Sequence, residues 1–241
     1  LSSSSAASDV YKRQSLAIAN TLKKKHKIIK VKDTLKFLTK SSSLLRNNTS
    51  SKIIAITGSC GKTSLKELVG KTLNKISNTT YSRKSFNNKY GVPLSLFNLK
   101  HNDEFGVFEI GMDKKGEIDY LSKIIKPEVG VITNISYAHV KNFKNIKQIA
   151  LAKSEIIKNI KDGGSIVLNA DDKFYNLHKK ISKKKKLKVY SFSINKKNCE
   201  VNLNFIKKKN VKYKVSLNIN KYKRYFYLNS NFESDIKNLL A

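Results

Sequence analysis

The segment Ile53-Ile54-Ala55-Ile56-Thr57-Gly58-Ser59-Cys60-Gly61-Lys62-Thr63-Ser64 constrains this chain more than any other. An apolar β-branched run leads into two glycines, a lysine and hydroxyls, and the helical pattern Leu65–Ile76 follows. That order predicts a buried parallel strand, a phosphate-binding loop and a helix. Gly58 and Gly61 let the backbone turn tightly and bring its N–H groups, with those of Ser59, Cys60 and Ser64, against an anion. The helix N-terminus adds partial positive charge there. Lys62 is placed to reach the terminal phosphates of a nucleotide, and the Thr63 hydroxyl to ligate Mg²⁺. The spacing departs from the standard P-loop, because Ile56 stands where its first glycine belongs. The shorter GxxGKT[ST] form, with a threonine before it, is the narrower match. A glycine-rich strand-to-helix turn with a chance lysine is the plainer alternative, and it is disfavoured in this context.

From Lys52 onward the pattern alternates: strand 53–57, helix 63–76, strand 106–111, helix 116–125, strand 129–135, helix 146–160, strand 165–169 and strand 188–194. Alternation of this kind predicts an α/β fold, a mostly parallel sheet with helices on both faces. After Cys199, polar and apolar residues alternate through Val211, Tyr213, Val215, Leu217 and Ile219, then Tyr225 and Tyr227, as antiparallel strands require. Asp235–Ala241 reads as the first turns of a helix. Before the loop, a short helix from Ser15, a strand around Ile28–Val31, an Asp33-Thr34 cap and a helix Leu35–Leu45 read as the tail of a preceding domain. The polar stretch Arg46–Ser51 reads as a linker. Leu1–Gln14 is serine-rich and unlike the remainder, and reads as disordered or foreign sequence. The expected division is therefore 1–14, 15–50 and 51–241.

The 241 residues carry a formal net charge of +32, which ordinarily suggests nucleic acid or an anionic membrane. Only four of the 49 basic residues are arginines, however, and the lysines are spread along the whole chain. Abundant Lys, Asn and Ile fit a bias in codon usage better than a binding surface, and the densest run, Lys179–Lys188, suits a solvated helix end or loop. A nucleic-acid partner is disfavoured. Cys60 and Cys199 match no metal-ligand or disulfide spacing. Their usage suits a reducing cytoplasm, and no apolar run approaches a membrane span, so a soluble protein is expected; a monomer is expected as well.

Several side chains suggest chemistry. Glu109 interrupts an apolar strand near its C-terminal end, where parallel sheets place their ligand sites, and reads either as a Mg²⁺ ligand or as half of a structural salt bridge. His139 follows the strand Gly130–Ile135 in the same relation to the sheet. Alone it is a packed or capping residue; beside Thr63 and Glu109 it becomes a candidate metal ligand. On the helix 146–160, Lys153 falls in the middle of a stripe of Ile146, Ile149, Ala150, Ile156, Ile157 and Ile160, while Glu155 points the opposite way. Two readings stand for Lys153: snorkelling to water, or a desolvated amine able to become a carbamate. Asn87 and Asn88 precede a Gly-Val-Pro turn and make a rigid polar loop that is structural or contacts substrate. Asp171 and Asp172 end another strand, capping a helix or facing a nucleotide.

These motifs, in this order, resemble the Mur ligases, ATP-dependent amide-forming enzymes of peptidoglycan synthesis, and most closely their MurF type. The match is carried by ITGSCGKTS (Ile56–Ser64), SFNNKYGVPLSL (Ser85–Leu96), FEIGMDKKGEIDYL (Phe108–Leu121), ITNISYAHVKNF (Ile132–Phe143), IALAKSEI (Ile149–Ile156) and VLNADD (Val167–Asp172). The resemblance implies that Lys62 binds ATP phosphates, that Thr63 and Glu109 hold one Mg²⁺ and His139 a second, and that Lys153 is carbamylated. It implies addition of D-alanyl-D-alanine to UDP-N-acetylmuramoyl-tripeptide through an acyl phosphate. Cys60 departs from the family's frequent asparagine, and Ser234-Asp235-Ile236-Lys237-Asn238 lies where a His-Asn pair is usual. On this resemblance the chain is expected to hold the central ATP-binding domain, a piece of the N-terminal UDP-sugar domain and none of the C-terminal domain, and to be inactive alone. Another Mur or folylpolyglutamate-type ligase, or a basic P-loop nucleic-acid-binding ATPase, is the alternative.

Overall fold

The computed structural model describes residues 16–19, 27–137, 142–229 and 232–241. His139 and the segment 1–14 therefore lie outside the described residues. Nine strands form one sheet: β3 (Lys52–Thr57), β4 (Thr79–Tyr81), β5 (Phe105–Glu109), β6 (Val129–Ile132), β7 (Ser165–Asn169), β8 (Lys188–Ser193), β9 (Val201–Lys209), β10 (Lys212–Ile219) and β11 (Tyr222–Leu228). Their order is β11-β10-β9-β8-β7-β6-β3-β5-β4. Pairing is parallel from β4 through to β9, and antiparallel between β9, β10 and β11. The central strand β3 lies between β5 and β6, so the chain leaves it toward one side and later returns on the other. The carboxyl end of β3 is thus the switch point at which open α/β sheets form ligand crevices.

Burial explains the parallel core. Alternate β3 residues feed opposite layers: Ile53 and Ala55 join one apolar cluster, and Ile56 joins another with Leu65, Val107 and Val131. The first layer is closed by α3 (Gly91–Leu96), α4 (Glu117–Ile125), α5 (Ile146–Lys153) and α6 (Glu155–Lys158), whose Val92, Leu96, Ile118, Ile149 and Ile156 are fully buried. The second layer is closed by α2 (Lys62–Leu73) and by the end of α8 (Glu233–Leu240). α7 (Tyr175–Lys184) adds Tyr175 and Ile181 to the first layer. The expected sheet with helices on both faces is what the chain builds.

Several elements differ from the sequence reading. Leu16–Ala19 is a strand, β1, rather than the start of a helix; it pairs in parallel with β2 (Lys27–Lys30), a backbone ladder that overrides local helix propensity. The single helix expected over 146–160 is two helices. At their junction the Ser154 hydroxyl donates to the Leu151 carbonyl at 2.6 Å, and Ile157 N–H turns to the Ser154 carbonyl, so the ladder tightens there. The Gly-Val-Pro turn is the start of helix α3, where Pro93 falls within the first turn and its missing N–H costs no hydrogen bond. Helix α2 ends at Leu73, and Ile76, expected as its last apolar residue, is exposed.

The stretch 46–51 is not a loose linker at its start. Arg46 is in α1 (Thr34–Asn47), a helix capped by Asp33 as expected, and is 2 % exposed. Its guanidinium donates to the carbonyls of Ile125, Lys126 and Ser51 and makes a two-oxygen contact with Glu128 at 2.8 and 2.9 Å. Two of those carbonyls are orphans at the C-terminal end of α4, so one side chain both caps α4 and docks α1 onto the sheet domain.

Candidate active site

The loop after β3 is held by glycine geometry and by the segment after β6. Gly58 has φ 149° and Gly61 φ 80°, conformations disfavoured for residues with a Cβ. At Gly58 a Cβ would sit 1.9 Å from the Thr133 hydroxyl oxygen, so no side chain fits. The Asn134 side chain binds both backbone groups of Cys60, accepting from its N–H at 3.0 Å and donating to its carbonyl at 3.3 Å. Ser59 and Ser136 exchange hydrogen bonds, 3.1 Å from the Ser59 hydroxyl to the Ser136 carbonyl and 2.9 Å in return. This clamp was missed in the sequence, where Thr133 and Asn134 read as the end of a strand and Ser136 as the segment leading to His139. Its signal was the run of polar residues after Val129–Ile132.

Lys62 and Thr63 open α2. The Lys62 ammonium folds back to the Ser59 carbonyl at 3.3 Å, and Ser64 is exposed. Thr63 donates its hydroxyl to Glu109 Oε2 at 2.7 Å, while Asn87 Nδ2 donates to Glu109 Oε1 at 2.7 Å. Glu109 is the last residue of β5, in register with Ile56, and is 1 % exposed. Among the described residues it has no salt-bridge partner; its two oxygens are held by neutral donors. The Asn88 side chain is turned to α3, accepting from the N–H groups of Tyr90 and Gly91.

Lys153 lies beneath the loop. It is 1 % exposed, and its ammonium donates to the Gly58 carbonyl at 2.8 Å, so it does not reach past the rim to water. Burial, with a smaller contribution from the nearby Lys62 charge, lowers its pKa from 10.5 to about 7. Glu155 does point the other way, but into the protein, where it accepts the N–H groups of Gly116 and Asp119 and so caps α4. Asp171 and Asp172 are likewise occupied by backbone: Asp171 accepts from Ile194 N–H, and Asp172 from Ile135 and Phe174 N–H.

Beside the loop is an open cavity of about 420 Å³ lined by Cys60, Asn134, Ser136, Asn169, Asp171 and Lys237. A smaller recess joins Gly61 to Asn238, whose side-chain oxygen would be 3.1 Å from a Cβ at Gly61. Among the described residues no group of three His, Cys, Asp or Glu side chains forms a metal cluster. The donors fit a hard cation that keeps several waters and shares phosphate oxygens: a threonine hydroxyl and a buried carboxylate meet at the mouth of an N–H-lined loop. The fully buried Thr57 hydroxyl, at the entry to that loop, has no hydrogen-bond partner among the described residues.

A parallel sheet whose switch-point strand runs through a glycine-built loop into a helix bearing Lys-Thr defines a P-loop α/β domain. The chain belongs to the Mur ligase family: residues 56–241 match the Mur ligase middle domain. A UDP-N-acetylmuramoyl-tripeptide--D-alanyl-D-alanine ligase of Buchnera aphidicola is 41 % identical over 153 residues, covering 64 % of this chain and 33 % of the relative. Among solved structures, MurF from Acinetobacter baumannii superposes with a TM-score of 0.82 at 30 % identity, over 92 % of this chain and 48 % of that one. MurF ligase from Thermotoga maritima in complex with ADP gives 0.82 at 25 % identity, over 94 % and 52 %. The chain thus spans about a third of the length of the Buchnera relative and about half of those solved chains. No helix among the described residues is long and apolar enough to cross a membrane.

Proposed function

We propose that this chain is the nucleotide-binding core of a MurF-type ligase, which joins D-alanyl-D-alanine to UDP-N-acetylmuramoyl-tripeptide at the expense of ATP. The observation that carries the reading is the Thr63–Glu109–Asn87 network at the mouth of the loop, with the amine of Lys153 buried directly beneath. Similarity to the Buchnera tripeptide–D-alanyl-D-alanine ligase and to the Thermotoga MurF ligase in complex with ADP supports it. On this reading residues 51–241 form the central domain and 15–50 belong to the end of a UDP-sugar-binding unit. Work in a cytoplasmic monomer, in cell-wall synthesis and hence cell shape and division, follows from the same reading.

The chemistry asks little covalent work of the protein. The tripeptide's terminal carboxylate takes the γ-phosphoryl group of ATP, ADP leaves, and the amine of D-alanyl-D-alanine displaces phosphate from the acyl phosphate. The N–H groups of Ser59 and Cys60, which the sequence reading turned toward an anion, are taken by Asn134, so those of Gly61, Lys62 and Thr63 would cradle the phosphates, and Lys62 would swing from the Ser59 carbonyl to their oxygens. Thr63 and Glu109 would hold one Mg²⁺, and Lys153, as a carbamate, with His139 would hold a second. Bound Mg²⁺ supplies charge neutralisation at the phosphate oxygens. Asn87 keeps Glu109 turned toward Thr63, and Asn88 keeps that loop on α3, facing the substrate.

The test is ligation by a protein carrying this chain with the flanking regions its relatives have, using UDP-N-acetylmuramoyl-tripeptide, D-alanyl-D-alanine and ATP. ADP release that requires both other substrates is the expected result. Release that ignores them, or turnover of folate substrates instead, overturns the assignment.

A further inference from the structure

We propose that Lys66 is a positioning residue that sets the metal-facing geometry of Glu109 from a distance. It rests on the reading of Glu109 as a Mg²⁺ ligand. Lys66 is 0 % exposed, on the face of α2 that bears Thr63 three residues earlier. A lysine ammonium has three donors, and all three are used: Ser82 carbonyl at 2.6 Å, Lys84 carbonyl at 2.9 Å and Glu67 Oε1 at 2.7 Å. Burying that charge is costly, and an apolar residue would fill the volume more cheaply. What the ammonium adds is a fixed path for the loop after β4.

That path leads to the site. Lys84 has φ 47°, a strained left-handed conformation for a lysine, and its carbonyl is one of those held. The Ser82 hydroxyl accepts the backbone N–H of Glu109 itself at 3.3 Å, and Ser82 N–H bonds the Val107 carbonyl. Downstream, the Ser85 hydroxyl is 3.4 Å from that of Thr63, Asn87 donates to Glu109 Oε1, and the Asn87 carbonyl accepts Gly111 N–H at 2.8 Å. One helix face therefore controls both carboxylate oxygens of Glu109. Thr63 holds Oε2 directly, and Lys66 holds the loop whose Asn87 fixes Oε1.

The test is Lys66→Met, which keeps the apolar stem and removes the donors, read in two ways. Without nucleotide, hydrogen exchange at the Gly111 amide should speed up about tenfold or more, while amides of β3 and β7 keep their protection. With ATP, affinity measured without divalent cation should stay within about twofold of wild type, while the gain on adding Mg²⁺ should fall about fivefold or more. Unchanged Gly111 exchange with an unchanged Mg²⁺ gain overturns the proposal. A uniform loss of protection across the sheet, or equal losses with and without Mg²⁺, also overturns it, since either marks a merely structural lysine. If wild type shows no Mg²⁺ gain, the metal reading fails, and Gly111 exchange still decides whether Lys66 sets the loop. Should Lys66→Met not fold, Lys66→Gln is measured in the same way.

Discussion

The Lys153 ammonium nitrogen lies 2.8 Å from the carbonyl oxygen of Gly58, the first glycine of the phosphate-binding loop. An amine that charges only below about pH 7 is thereby fixed to the backbone of the loop proposed to bind nucleotide. At pH 7.5 about three-quarters of such an amine is neutral, against a trace for an ordinary lysine. Neutral amine is the form that reacts with CO₂.

Lys153 makes the stability of the fold depend on pH in a defined window. The folded-state pKa, about 7, is below the unfolded value, so between them the unfolded chain holds a proton that the folded one has shed. Stability should rise as pH increases from about 7 toward about 10, and the full cost of charging the amine applies below that window. Lys153→Met should remove the rise and be at least as stable as wild type at pH 6, as read from urea midpoints. Carbon-13 bicarbonate should give a carbamate resonance in wild type and none in the variant. In a ligation-competent protein Lys153→Met should be inactive; an active one rules out the catalytic role.

Lys62→Ala should weaken nucleotide binding by about ten- to a hundredfold, since charged hydrogen bonds contribute roughly 1.5–3 kcal/mol. The side chain is part-exposed and, among the described residues, its hydrogen bond is to the Ser59 carbonyl within the loop. Melting temperature should therefore change little. Calorimetric titration beside a thermal melt checks both halves.

Gly58→Ala tests the loop's backbone. The added methyl meets the Thr133 hydroxyl at 1.9 Å and the residue keeps φ 149°, so nucleotide binding should be lost and the fold destabilised by about 2 kcal/mol or more. Adding Thr133→Ala removes the clash but not the strain. The double variant should recover part of the stability, a coupling visible in a double-mutant cycle.

Much of this was legible in the sequence because strong local patterns and global packing agree. Ile53–Thr57 is rich in β-branched residues and feeds both layers of the core, the Gly-Lys-Thr turn is chemically explicit, and a carboxylate ending an apolar strand stands out. Lys153 was legible as an anomaly on an apolar stripe, though only the fold separates a buried amine from a snorkelling one. The failures lie where a tertiary partner decides. Arg46 looked like linker, because nothing local reveals that the end of α4 and Glu128 need its guanidinium. Lys66 looked like one more solvated lysine among many. The break at Ser154 depends on one hydroxyl choosing the Leu151 carbonyl, and β1 on parallel partners eleven residues further along.

Arg46 and Glu128 predict an acid-sensitive anchor. Burial pushes the Glu128 carboxyl up, but Lys161, Ile53 N–H and Arg46 together outweigh it and hold the pKa below the ordinary glutamate value. A depressed carboxylate contributes stability that is present above the unfolded pKa and lost as pH falls through the folded one. Glu128→Gln should lower stability at pH 7 by about 2–4 kcal/mol, and the deficit should shrink as pH falls below about 4.5. Denaturation midpoints at pH 7 and pH 3.5 measure it, and an equal deficit at both would contradict it.

Asn87 gives the sharpest probe of the metal reading, because its amide stands where a charge would matter. Asn87→Ala leaves the buried Glu109 Oε1 without its donor, which should cost about 1–3 kcal/mol whether or not Mg²⁺ is present. Asn87→Asp instead faces Glu109 with a second carboxylate at hydrogen-bond distance. Two like charges there raise one pKa and destabilise the fold at neutral pH. A divalent cation between the two carboxylates would reverse this, since hard oxygen donors are what Mg²⁺ selects. Thermal melting of Asn87→Asp should therefore show a larger Mg²⁺-induced gain than wild type, and Asn87→Ala no gain beyond wild type. Equal responses of the two variants would mean that no cation meets Glu109, and the carboxylate would then serve only to tie α2 to the loop.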